Sequence, residues 1–511
     1  MRGGSSRICA VVAERTTEAA RDAVKRAAAS ADLIELRLDY LRDFDFSDPQ
    51  KLRALLDEKP LPVIITCRAA SEGGDQVIDD EMRLRLLVEG ARRMADYCDV
   101  EAAFYDRAAR LSPDISRLIV SYHNFDETPA ALESIYESVC RLPAAVYKIA
   151  TRARSVIDTL AIFGLLTRAR KEGRNLIALA MGEPGLITRL LGPARGGFLT
   201  FGSLAAGAET APGQLTCEDL KRLYRVNDLS PATGITGIIG RPVSHSASPA
   251  MHNCAFQATG IDQVYLPIEV DDLEAFFARF VRPSSREIDW DLRGLSVTIP
   301  HKMAVIELLD EIDEIAREAG AVNTIVIEKG RVKGYNTDIE GAVEPLLRAC
   351  SLSDEHFALI GAGGAARAVA YGLARRGAQI SIFARDVEKA KRLADSLSSA
   401  RIDRIDTIDR IASSSATVLI NTTPVGMRGC REGESPVPYE VFEGRSLAYD
   451  LVYNPIETRF LKEAREAGCR TISGIEMLAA QAELQFELWT GRRPPEGLLR
   501  EAALDWLRRH T

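Results

Sequence analysis

The sequence lacks closely spaced cysteines, long apolar runs and a surplus of basic residues. Its nine cysteines are scattered singly, which excludes a zinc-ligand pair or a CxxC motif and predicts free thiols in a reducing compartment. No apolar run approaches the roughly twenty residues of a membrane-spanning helix, so we expect no membrane partner. The 65 Lys and Arg residues against 73 Asp and Glu give a net charge of −8, which argues against nucleic-acid binding.

The 511 residues also lack low-complexity tracts, and 46% of them are apolar while 27% are charged. This composition predicts a folded protein with full hydrophobic cores. At roughly 150 residues per domain the length predicts about three domains, or two or three large units because barrels and nucleotide-binding folds can take about 200–250 residues each. Residues 1–6 lead directly into an apolar run, which leaves no room for a signal or transit peptide. We therefore expect a cytoplasmic protein, or a plastid protein only if a transit peptide has been trimmed.

Short apolar runs of β type alternate with amphipathic helical segments through the first half of the chain. The runs are 8–12, 33–38, 63–67, 97–103, 118–122, 146–151, 176–181 and 198–202. Eight such alternations predict an α/β fold of the (β/α)8 TIM-barrel type. On periodicity alone, an open doubly wound sheet with extra strands is the alternative.

A polar segment with proline and glycine at 225–234 predicts a domain boundary. We place the first domain at 1–228 and the second at 234–511. The α/β alternation resumes after this boundary, with apolar runs at 235–240, 264–270, 295–299, 321–327, 358–360, 380–383, 418–421 and 447–451. A further division falls near 349–357, just before a glycine-rich turn.

Polar residues are abundant at the predicted strand ends of the first half, where the reactive groups of a barrel gather. Glu35 and Arg37 alternate on the second strand and therefore face the same side. Lys148 stands inside an apolar strand, where its charge is costly unless compensated or removed. That setting suits a Schiff-base nucleophile, and a lysine that snorkels to solvent is the alternative.

The segments 35–37, 66–68 with 72–74, 121–123, 148–150 and 211–214 resemble, in this order, the motifs of type I 3-dehydroquinate dehydratase over residues 8–225. The resemblance implies that Lys148 forms an imine with the substrate ketone. It implies that His123, oriented by Glu72, serves as general base and then general acid. The implied substrate contacts are Glu35, Arg37, Arg68, Arg189, Thr210 and Gln214. Thr210 stands where the family often has Ser and keeps the hydroxyl.

A glycine-rich turn in the second half follows a strand and opens a helix, which is the context of a dinucleotide-binding turn. It consists of Gly361, Ala362, Gly363, Gly364, Ala365 and Ala366, and a structural glycine turn is the alternative. The next strand ends at Arg385, which suits the 2′-phosphate of NADP, and Lys389 adds a second positive charge. Asp386 would repel that phosphate. We expect NADP (NADPH) as the cofactor.

Further blocks at 244–249, 296–302, 320–324, 334–338, 421–427 and 477–481 resemble shikimate dehydrogenase from 235 to about 509. The resemblance implies that Lys302 and Asp338 form a catalytic pair, for which an ordinary ion pair is the alternative. It implies substrate contacts from Ser246, Ser248, Thr298, Asn323, Tyr453 and Gln481. Taken alone, Ser246 and Ser248 are equally helix caps. Further cofactor contacts are implied at Thr422, Met427 and Gly474.

The same resemblance divides the second domain. It implies a substrate-binding subdomain at 234–349, a Rossmann NADP-binding subdomain at 350–475, and C-terminal helices at 476–511 that return to the substrate subdomain.

The two resemblances make consecutive chemical sense. Dehydration of 3-dehydroquinate gives 3-dehydroshikimate, which the second half would reduce to shikimate with NADPH. We therefore predict a bifunctional enzyme of the shikimate pathway and aromatic amino acid biosynthesis. We expect small-molecule partners, no metal, and a monomer or weak homo-oligomer.

Two other functions compete with this prediction. The first is an enzyme of quinate metabolism that uses NAD, which Arg385 disfavours. The second is a scaffold that retains one dead domain, which the presence of Lys148, His123, Lys302 and Asp338 disfavours.

Overall fold

The structure is a computed structural model that describes residues 6–397 and 401–510. The chain divides into two compact units, Met1–Ser244 with Leu266–Leu292 and His245–Tyr265 with Arg293–Thr511. Within the described ranges the strands form one sheet of eight and two sheets of six. No helix in these ranges is long and apolar enough to cross a membrane.

The first sheet is a parallel barrel in the order β7-β6-β5-β4-β3-β2-β1-β8. Its strands are β1 (Ile8–Val12), β2 (Leu33–Arg37), β3 (Val63–Thr66), β4 (Tyr97–Glu101), β5 (Leu118–His123), β6 (Val146–Arg152), β7 (Leu176–Met181) and β8 (Thr200–Ser203). A bridge between Leu176 and Gly197 nearly closes the barrel. The predicted (β/α)8 fold is confirmed, and the open-sheet alternative is wrong.

Helices alternate with these strands because an apolar stripe at helical spacing needs a partner surface. They are α1 (Thr17–Ala27), α2 (Leu52–Leu56), α3 (Asp80–Arg93), α4 (Tyr105–Arg110), α5 (Leu132–Cys140), α6 (Thr159–Lys171) and α7 (Leu186–Leu191). In α1 the stripe is Ala20, Ala23, Val24 and Ala27, and all four are buried. The Thr16 side chain accepts the Ala19 amide, and this cap begins α1.

The barrel interior changes from apolar to charged along the strands. Its apolar part includes Cys9, Leu33, Ile64, Ile119, Val146 and Ile177. Side chains alternate with period two, and two residues further along four of these strands the inward positions hold Glu35, Thr66, Ser121 and Lys148. The register pairs Ser121 with Lys148 and Thr66 with Asp99. The polar groups therefore meet at the carboxyl end of the barrel.

The second sheet has the order β10-β9-β11-β13-β14-β12. Its strands are β9 (Gly234–Gly240), β10 (Gln263–Glu269), β11 (Asp291–Val297), β12 (Glu311–Ile312), β13 (Thr324–Glu328) and β14 (Arg331–Tyr335), accompanied by helices α8 (Ser248–Thr259), α9 (Leu273–Phe276), α10 (Glu314–Ala319) and α11 (Thr337–Ala349). Strands β13 and β14 form an antiparallel hairpin. Lys329 and Gly330 have φ of 51° and 80°, as a two-residue hairpin turn with a right-handed strand twist requires.

The third sheet is parallel and has the order β17-β16-β15-β18-β19-β20, which is the Rossmann strand order. Its strands are β15 (His356–Ile360), β16 (Gln379–Ala384), β17 (Arg401–Thr407), β18 (Val418–Asn421), β19 (Leu447–Asp450) and β20 (Arg470–Ile472). Its helices are α12 (Gly364–Ala374), α13 (Val387–Asp395) and α14 (Arg459–Glu466), and the chain ends with α15 (Gly474–Thr490) and α16 (Leu498–His510). Helix α15 packs against α11, and α16 packs against α8. The Rossmann prediction is confirmed.

Four strands have no counterpart among the predicted apolar runs: β12, β14, β17 and β20. Strands β12, β17 and β20 lie at sheet edges, where charged residues are tolerated because one side of the strand is unpaired. In β17 the sequence Arg-Ile-Asp-Arg-Ile-Asp-Thr alternates charged with apolar residues. Such strands contain no continuous apolar run by which they could be predicted.

Gly341 lies where α11 packs against α15. A Cβ added there would come within 2.7 Å of the Gln481 Cβ and 2.8 Å of the Gln481 nitrogen. We expect Gly341→Ala to lower the free energy of unfolding by about 1–3 kcal/mol, although alanine has the higher helix propensity. Urea or thermal unfolding measures the change.

Gly164 in α6 is the matched control. It is exposed, and a Cβ added there would meet nothing within 4 Å. Gly164→Ala should therefore raise the free energy of unfolding by about 0.5–1 kcal/mol through helix propensity alone. A stabilising Gly341→Ala would contradict the close contact of α11 with α15.

Candidate active sites

A pocket with about 520 Å³ of space opens at the carboxyl end of the barrel strands. All the site residues predicted in the first half line it, namely Glu35, Arg37, Arg68, Glu72, His123, Lys148, Arg189, Thr210 and Gln214. The lining is completed by Val11, Gly73, Phe125, Ala150, Leu179, Met181, Phe201 and Ala211. The pocket thus combines a charged set with an apolar wall.

Lys148 on β6 does not reach solvent at the strand end, since only 5% of the residue is exposed. Its Nζ lies 3.1 Å from Asp99 Oδ2 and 3.3 Å from Glu35 Oε1. The same Nζ lies 4.4 Å from the centre of the Phe201 ring. The ammonium is therefore compensated by two carboxylates rather than by water.

Arg68 extends from the end of β3 to the carboxylates of β4. Its two terminal nitrogens lie 2.9 and 2.8 Å from the two oxygens of Asp99, and it also contacts Glu101 at 3.3 Å. Glu101 in turn pairs with the buried Arg83 of α3 at 2.8 Å. The sequence prediction missed Asp99 and Glu101. They alternate on β4, and this is the same pattern that identified Glu35 and Arg37 on β2.

His123 and Glu72 form a hydrogen-bonded pair in the pocket. Glu72 Oε2 lies 3.0 Å from His123 Nδ1 and accepts the His123 backbone amide at 3.1 Å. Burial raises the pKa of Glu72 to about 7. Burial, with Arg68 and Lys148 adding to it, lowers the pKa of His123 well below 6.5. With Nδ1 engaged by Glu72, Nε2 is the ring nitrogen left to exchange a proton with a ligand.

Arg189 on α7 is buried without a carboxylate. Its Nε has no hydrogen-bond partner among the described residues, and its Nη2 lies 3.4 Å from the Pro212 carbonyl oxygen. Burial lowers the pKa of Arg189 to about 10. An incompletely paired guanidinium that lines a pocket can receive an anionic group of a ligand.

Arg37, Thr210 and Gln214 have partners within the protein. Arg37 pairs with Asp39 at 3.0 and 2.8 Å. Gln214 Oε1 accepts the Thr210 amide at 2.8 Å and its hydroxyl at 3.3 Å. These bonds fix the side chains around the pocket.

The second site lies in the unit that contains α8, α11 and α15. Lys302 Nζ lies 2.6 Å from Asp338 Oδ2. Lys302 and Thr298 follow β11, and Asp338 stands in the first turn of α11, whose N-cap is Asn336. The side chains are 34% and 18% exposed, so the pair is open to a ligand.

Asn323 is fixed before β13 by its side-chain amide. Its Oδ1 accepts the Thr337 amide at 2.7 Å and the Thr324 hydroxyl at 2.8 Å. Gln485 donates to the Thr324 hydroxyl at 3.0 Å and accepts from the Ser296 hydroxyl at 2.9 Å. The sequence prediction missed Gln485 and Ser296. Gln485 lies one helical turn after Gln481, so a search along one face of α15 would have found it.

The remaining predicted substrate residues have local partners. Ser246 Oγ accepts the Ser248 amide at 3.2 Å just before α8, whose N-cap is Ala247 without a capping side chain. Gln481 donates to the Leu478 carbonyl at 2.9 Å. Burial raises the pKa of Tyr453. Their contacts with a substrate stay predictions.

The glycine-rich turn has the geometry that a dinucleotide phosphate needs. Gly361 has φ of +117°, and a Cβ there would lie 2.7 Å from Thr422 Oγ1. Around Gly363 and Gly364 nothing lies within 4 Å of an added Cβ. Gly363 is the N-cap of α12 and supplies no capping side chain. The first amides of α12, which include those of Ala365 and Ala366, can therefore face an anion.

The other predicted cofactor residues lie on elements that follow this turn along the chain. Arg385 and Lys389 are exposed, and Asp386 accepts the Lys389 amide at 2.9 Å as the N-cap of α13. Met427 is 40% exposed. Gly474 begins α15, and a Cβ there would lie 2.5 Å from the Leu451 carbonyl oxygen. These residues fit a dinucleotide with a phosphate at its adenosine end.

Within the described residues, no group of three or more His, Cys, Asp or Glu side chains could hold a metal ion.

Four family models match the chain in the order of the predicted halves. Type I 3-dehydroquinase matches residues 8–231, and the shikimate dehydrogenase substrate binding domain matches residues 238–325. Shikimate / quinate 5-dehydrogenase matches residues 346–425. The shikimate 5′-dehydrogenase C-terminal domain matches residues 474–504.

One relative, from Arabidopsis thaliana, is 37% identical to this chain. It is named bifunctional 3-dehydroquinate dehydratase/shikimate dehydrogenase, chloroplastic. The similarity covers 96% of this chain and 83% of the Arabidopsis protein. The chain belongs to the bifunctional 3-dehydroquinate dehydratase/shikimate dehydrogenase family.

Other similar proteins match one or both halves of this bifunctional family. A shikimate dehydrogenase (NADP(+)) of Methanobrevibacter smithii is 42% identical over 52% of this chain and 95% of its own. The solved structure of dehydroquinate dehydratase and shikimate dehydrogenase from S. pombe AroM is 26% identical over 98% of both chains, with a TM-score of 0.46.

The environment of His123 predicts a neutral imidazole at mildly acidic pH. Because burial and the cations Arg68 and Lys148 lower its pKa, the ring should stay uncharged as the pH falls through 6.5, the ordinary value. NMR of protein labelled at the histidine rings measures this, with a His123→Gln variant to assign the signal.

The same chain unfolded in urea is the control, where all histidines should titrate near the ordinary value. A folded-state His123 that gains its proton at or above 6.5 would contradict the electrostatics of the pocket.

Proposed function

We propose that this chain dehydrates 3-dehydroquinate to 3-dehydroshikimate in its barrel and reduces 3-dehydroshikimate to shikimate with NADPH in its second half. Both steps belong to the shikimate pathway of aromatic amino acid biosynthesis. The observation that carries the proposal is Lys148, a buried amine in a pocket that also holds the His123–Glu72 pair and the incompletely paired Arg189. Family membership supports both activities.

The dehydration begins at Lys148. Its ammonium gives up a proton, the neutral amine attacks the ketone carbon and the C–N bond forms. The released proton returns to the carbinol oxygen, and water leaves with the electrons of the C–O bond. The product is a protonated imine, which withdraws electrons from the neighbouring carbon and acidifies its hydrogen. The apolar wall of the pocket limits access of water to this intermediate.

His123 transfers the proton between two positions. Its Nε2 removes the acidified hydrogen, and the C–H electrons move toward the imine nitrogen to give an enamine. The protonated ring then donates to the departing hydroxyl, and the nitrogen electrons return to re-form the imine. Glu72 holds the ring through Nδ1. Water finally hydrolyses the imine and releases 3-dehydroshikimate and the free amine.

Arg189 is the proposed partner of the substrate carboxylate, because it is the pocket arginine without a carboxylate of its own. The substrate hydroxyls and carboxylate are also proposed to contact Glu35, Arg37, Arg68, Thr210 and Gln214. Arg68 is also paired with Asp99, so its share in binding is the smaller one.

In the second half, Lys302 and Asp338 are the proposed catalytic pair. Lys302 delivers a proton to the ketone oxygen as it becomes a hydroxyl, and Asp338 holds the ammonium in place at 2.6 Å. Ser246, Ser248, Thr298, Asn323, Tyr453 and Gln481 are proposed to bind the substrate.

NADPH, when bound, supplies the hydride for this reduction. The amides at the start of α12 and the glycine turn are proposed to hold its diphosphate, with Thr422, Met427 and Gly474 as further contacts. Arg385 and Lys389 are proposed to hold the 2′-phosphate. Asp386 caps α13, which directs part of its charge to a backbone amide.

The proposed domain boundaries are those predicted, 1–228 and 234–511, with subdomains at 234–349, 350–475 and 476–511. A cytoplasmic location is proposed because the structure holds the nine cysteines as free thiols, as a reducing compartment does. The partners are proposed to be small molecules, with the chain as a monomer or weak homo-oligomer.

Substitution of either lysine should remove one activity and leave the other. Lys148→Ala should abolish dehydration of 3-dehydroquinate, since no imine can form, and leave reduction of added 3-dehydroshikimate. Lys302→Met should slow that reduction by about 10²–10⁴-fold and leave dehydration. Consumption of NADPH and formation of 3-dehydroshikimate measure the two steps. Loss of both activities in a folded single variant would overturn the two-site proposal.

Arg385→Ala should separate the two nicotinamide cofactors. Loss of a charge-assisted contact should weaken NADP⁺ binding by about 10- to 100-fold and leave NAD⁺ binding unchanged. Calorimetry on the intact chain measures both affinities. Arg401→Ala is the control, because Arg401 is exposed at the amino end of β17. Equal weakening of both cofactors would contradict a 2′-phosphate contact.

A further inference from the structure

The side chains closest to the Lys148 amine include an aspartate that none of the proposed steps uses. Asp99 Oδ2 lies 3.1 Å from Lys148 Nζ, whereas Glu35 Oε1 lies at 3.3 Å. Glu35 lines the pocket, and Asp99 is not part of the lining formed by the described residues. A ketone that reaches Nζ from the pocket therefore leaves Asp99 in contact with the nitrogen.

Asp99 is saturated with donors. Its Oδ1 accepts from Arg68 at 2.9 Å and from the Ser121 hydroxyl at 2.6 Å. Its Oδ2 accepts from Arg68 at 2.8 Å and from Lys148 at 3.1 Å. A carboxylate offers about four acceptor sites, so this one is filled and held in one orientation. It is a fixed negative charge rather than a group that takes up protons.

Carboxylates are at least as numerous as cations around the Lys148 nitrogen. Three buried carboxylates, Glu35, Asp99 and Glu101, face three buried cations, Arg68, Arg83 and Lys148. Arg83 also pairs with the partly exposed Asp80 at 3.0 Å. We call the six buried residues the buried ion network. An uncompensated charge in such a place is strongly destabilising. The network therefore favours any form of Lys148 that carries a positive nitrogen.

We infer that Asp99 is the counter-ion of the imine that Lys148 forms with the substrate. This inference rests on the proposed Schiff-base function. When the C–N bond forms and water leaves with the C–O electrons, the nitrogen carries the same single positive charge as the ammonium did, at the same place. Asp99 keeps that nitrogen protonated, and so it maintains the electron withdrawal on which removal of the hydrogen by His123 depends.

The pKa of Asp99 supports a permanent charge. Although burial alone would raise it, the Arg68 guanidinium and the Lys148 ammonium hold the pKa of Asp99 well below its usual range. The titratable and charged groups that face the nitrogen from the surrounding elements are Cys9 of β1, Glu35 of β2, Asp99 of β4 and His123 of β5. Arg68, after β3, lies on the far side of Asp99.

The test uses Asp99→Asn in the full chain, with 3-dehydroshikimate as the imine-forming ligand and borohydride as the trap. Borohydride delivers hydride to the carbon of a protonated imine and fixes the ligand on Lys148. Intact mass and peptide mapping give the trapped fraction from neutral to alkaline pH. In the unaltered chain the trapped fraction should fall once the pH exceeds a certain alkaline value, which we call the alkaline limit. Loss of the negative charge should move that limit down by about 1–3 pH units.

Glu101→Gln is the matched control. Glu101 lies two residues from Asp99 on the same strand and belongs to the same network, yet its contacts are Arg68, Arg83 and the Ala69 amide rather than Lys148. This variant should keep the alkaline limit of the unaltered chain. An unchanged limit in Asp99→Asn, or equal shifts in both variants, would overturn the counter-ion role.

Failure of the function and failure of the inference have different signatures. If the unaltered chain cannot be trapped on Lys148, the Schiff-base function itself fails. If Asp99→Asn does not fold, the inference is tested on the unaltered chain. Its imine with carbon-labelled 3-dehydroshikimate is then measured by vibrational spectroscopy. A C=N band that shifts in heavy water shows a protonated nitrogen and supports the counter-ion. A band without that shift, at a pH where the imine forms, overturns it.

Discussion

The barrel site depends on one electrostatic constraint: charges buried inside a protein must be balanced where they lie. Lys148, Arg68 and Asp99 meet this constraint inside a barrel whose lower interior is apolar. The arrangement couples folding to chemistry, because the carboxylates that stabilise a buried ammonium also stabilise a protonated imine. Burial, with the same positive charges adding to it, lowers the pKa of His123, which leaves a neutral ring ready to accept a proton. Removal of one of these charged side chains would leave another buried charge without compensation.

The site in the second half depends on backbone geometry rather than on buried charges. A dinucleotide diphosphate needs amides rather than side chains, and Gly361, Gly363 and Gly364 leave that space open. The catalytic pair is half-buried rather than enclosed. Its residues come from two elements, the segment after β11 and the first turn of α11, which Asn336 caps. The barrel site thus relies on buried charged side chains, which suit covalent chemistry. The second half relies on uncapped backbone amides, which suit a cofactor that is exchanged.

The sequence predicted the fold well because the barrel strands are buried and continuous, and each predicted run became a strand. Polar residues at the strand ends indicated the pocket, and the resemblance to type I 3-dehydroquinate dehydratase supplied the roles of its residues. The sequence prediction missed Asp99 and Glu101 although they alternate on β4, because their pairing with Arg68 and Arg83 depends on contacts between different elements. Ser296 and Gln485 escaped for the same reason. Strand β17 was missed because an edge strand needs no continuous apolar run.

The barrel has one seam. Between β7 and β8 the described residues form a single bridge, Leu176 with Gly197, at the amino end of β7. Towards the mouth, the Gly182 amide instead donates to the Pro212 carbonyl at 3.0 Å, which joins the loops that follow the two strands. Arg189 lies after β7 and Gln214 after β8, and the Arg189 guanidinium also reaches the Pro212 carbonyl at 3.4 Å. On this side, therefore, loop contacts rather than a strand ladder hold the two pocket residues in place.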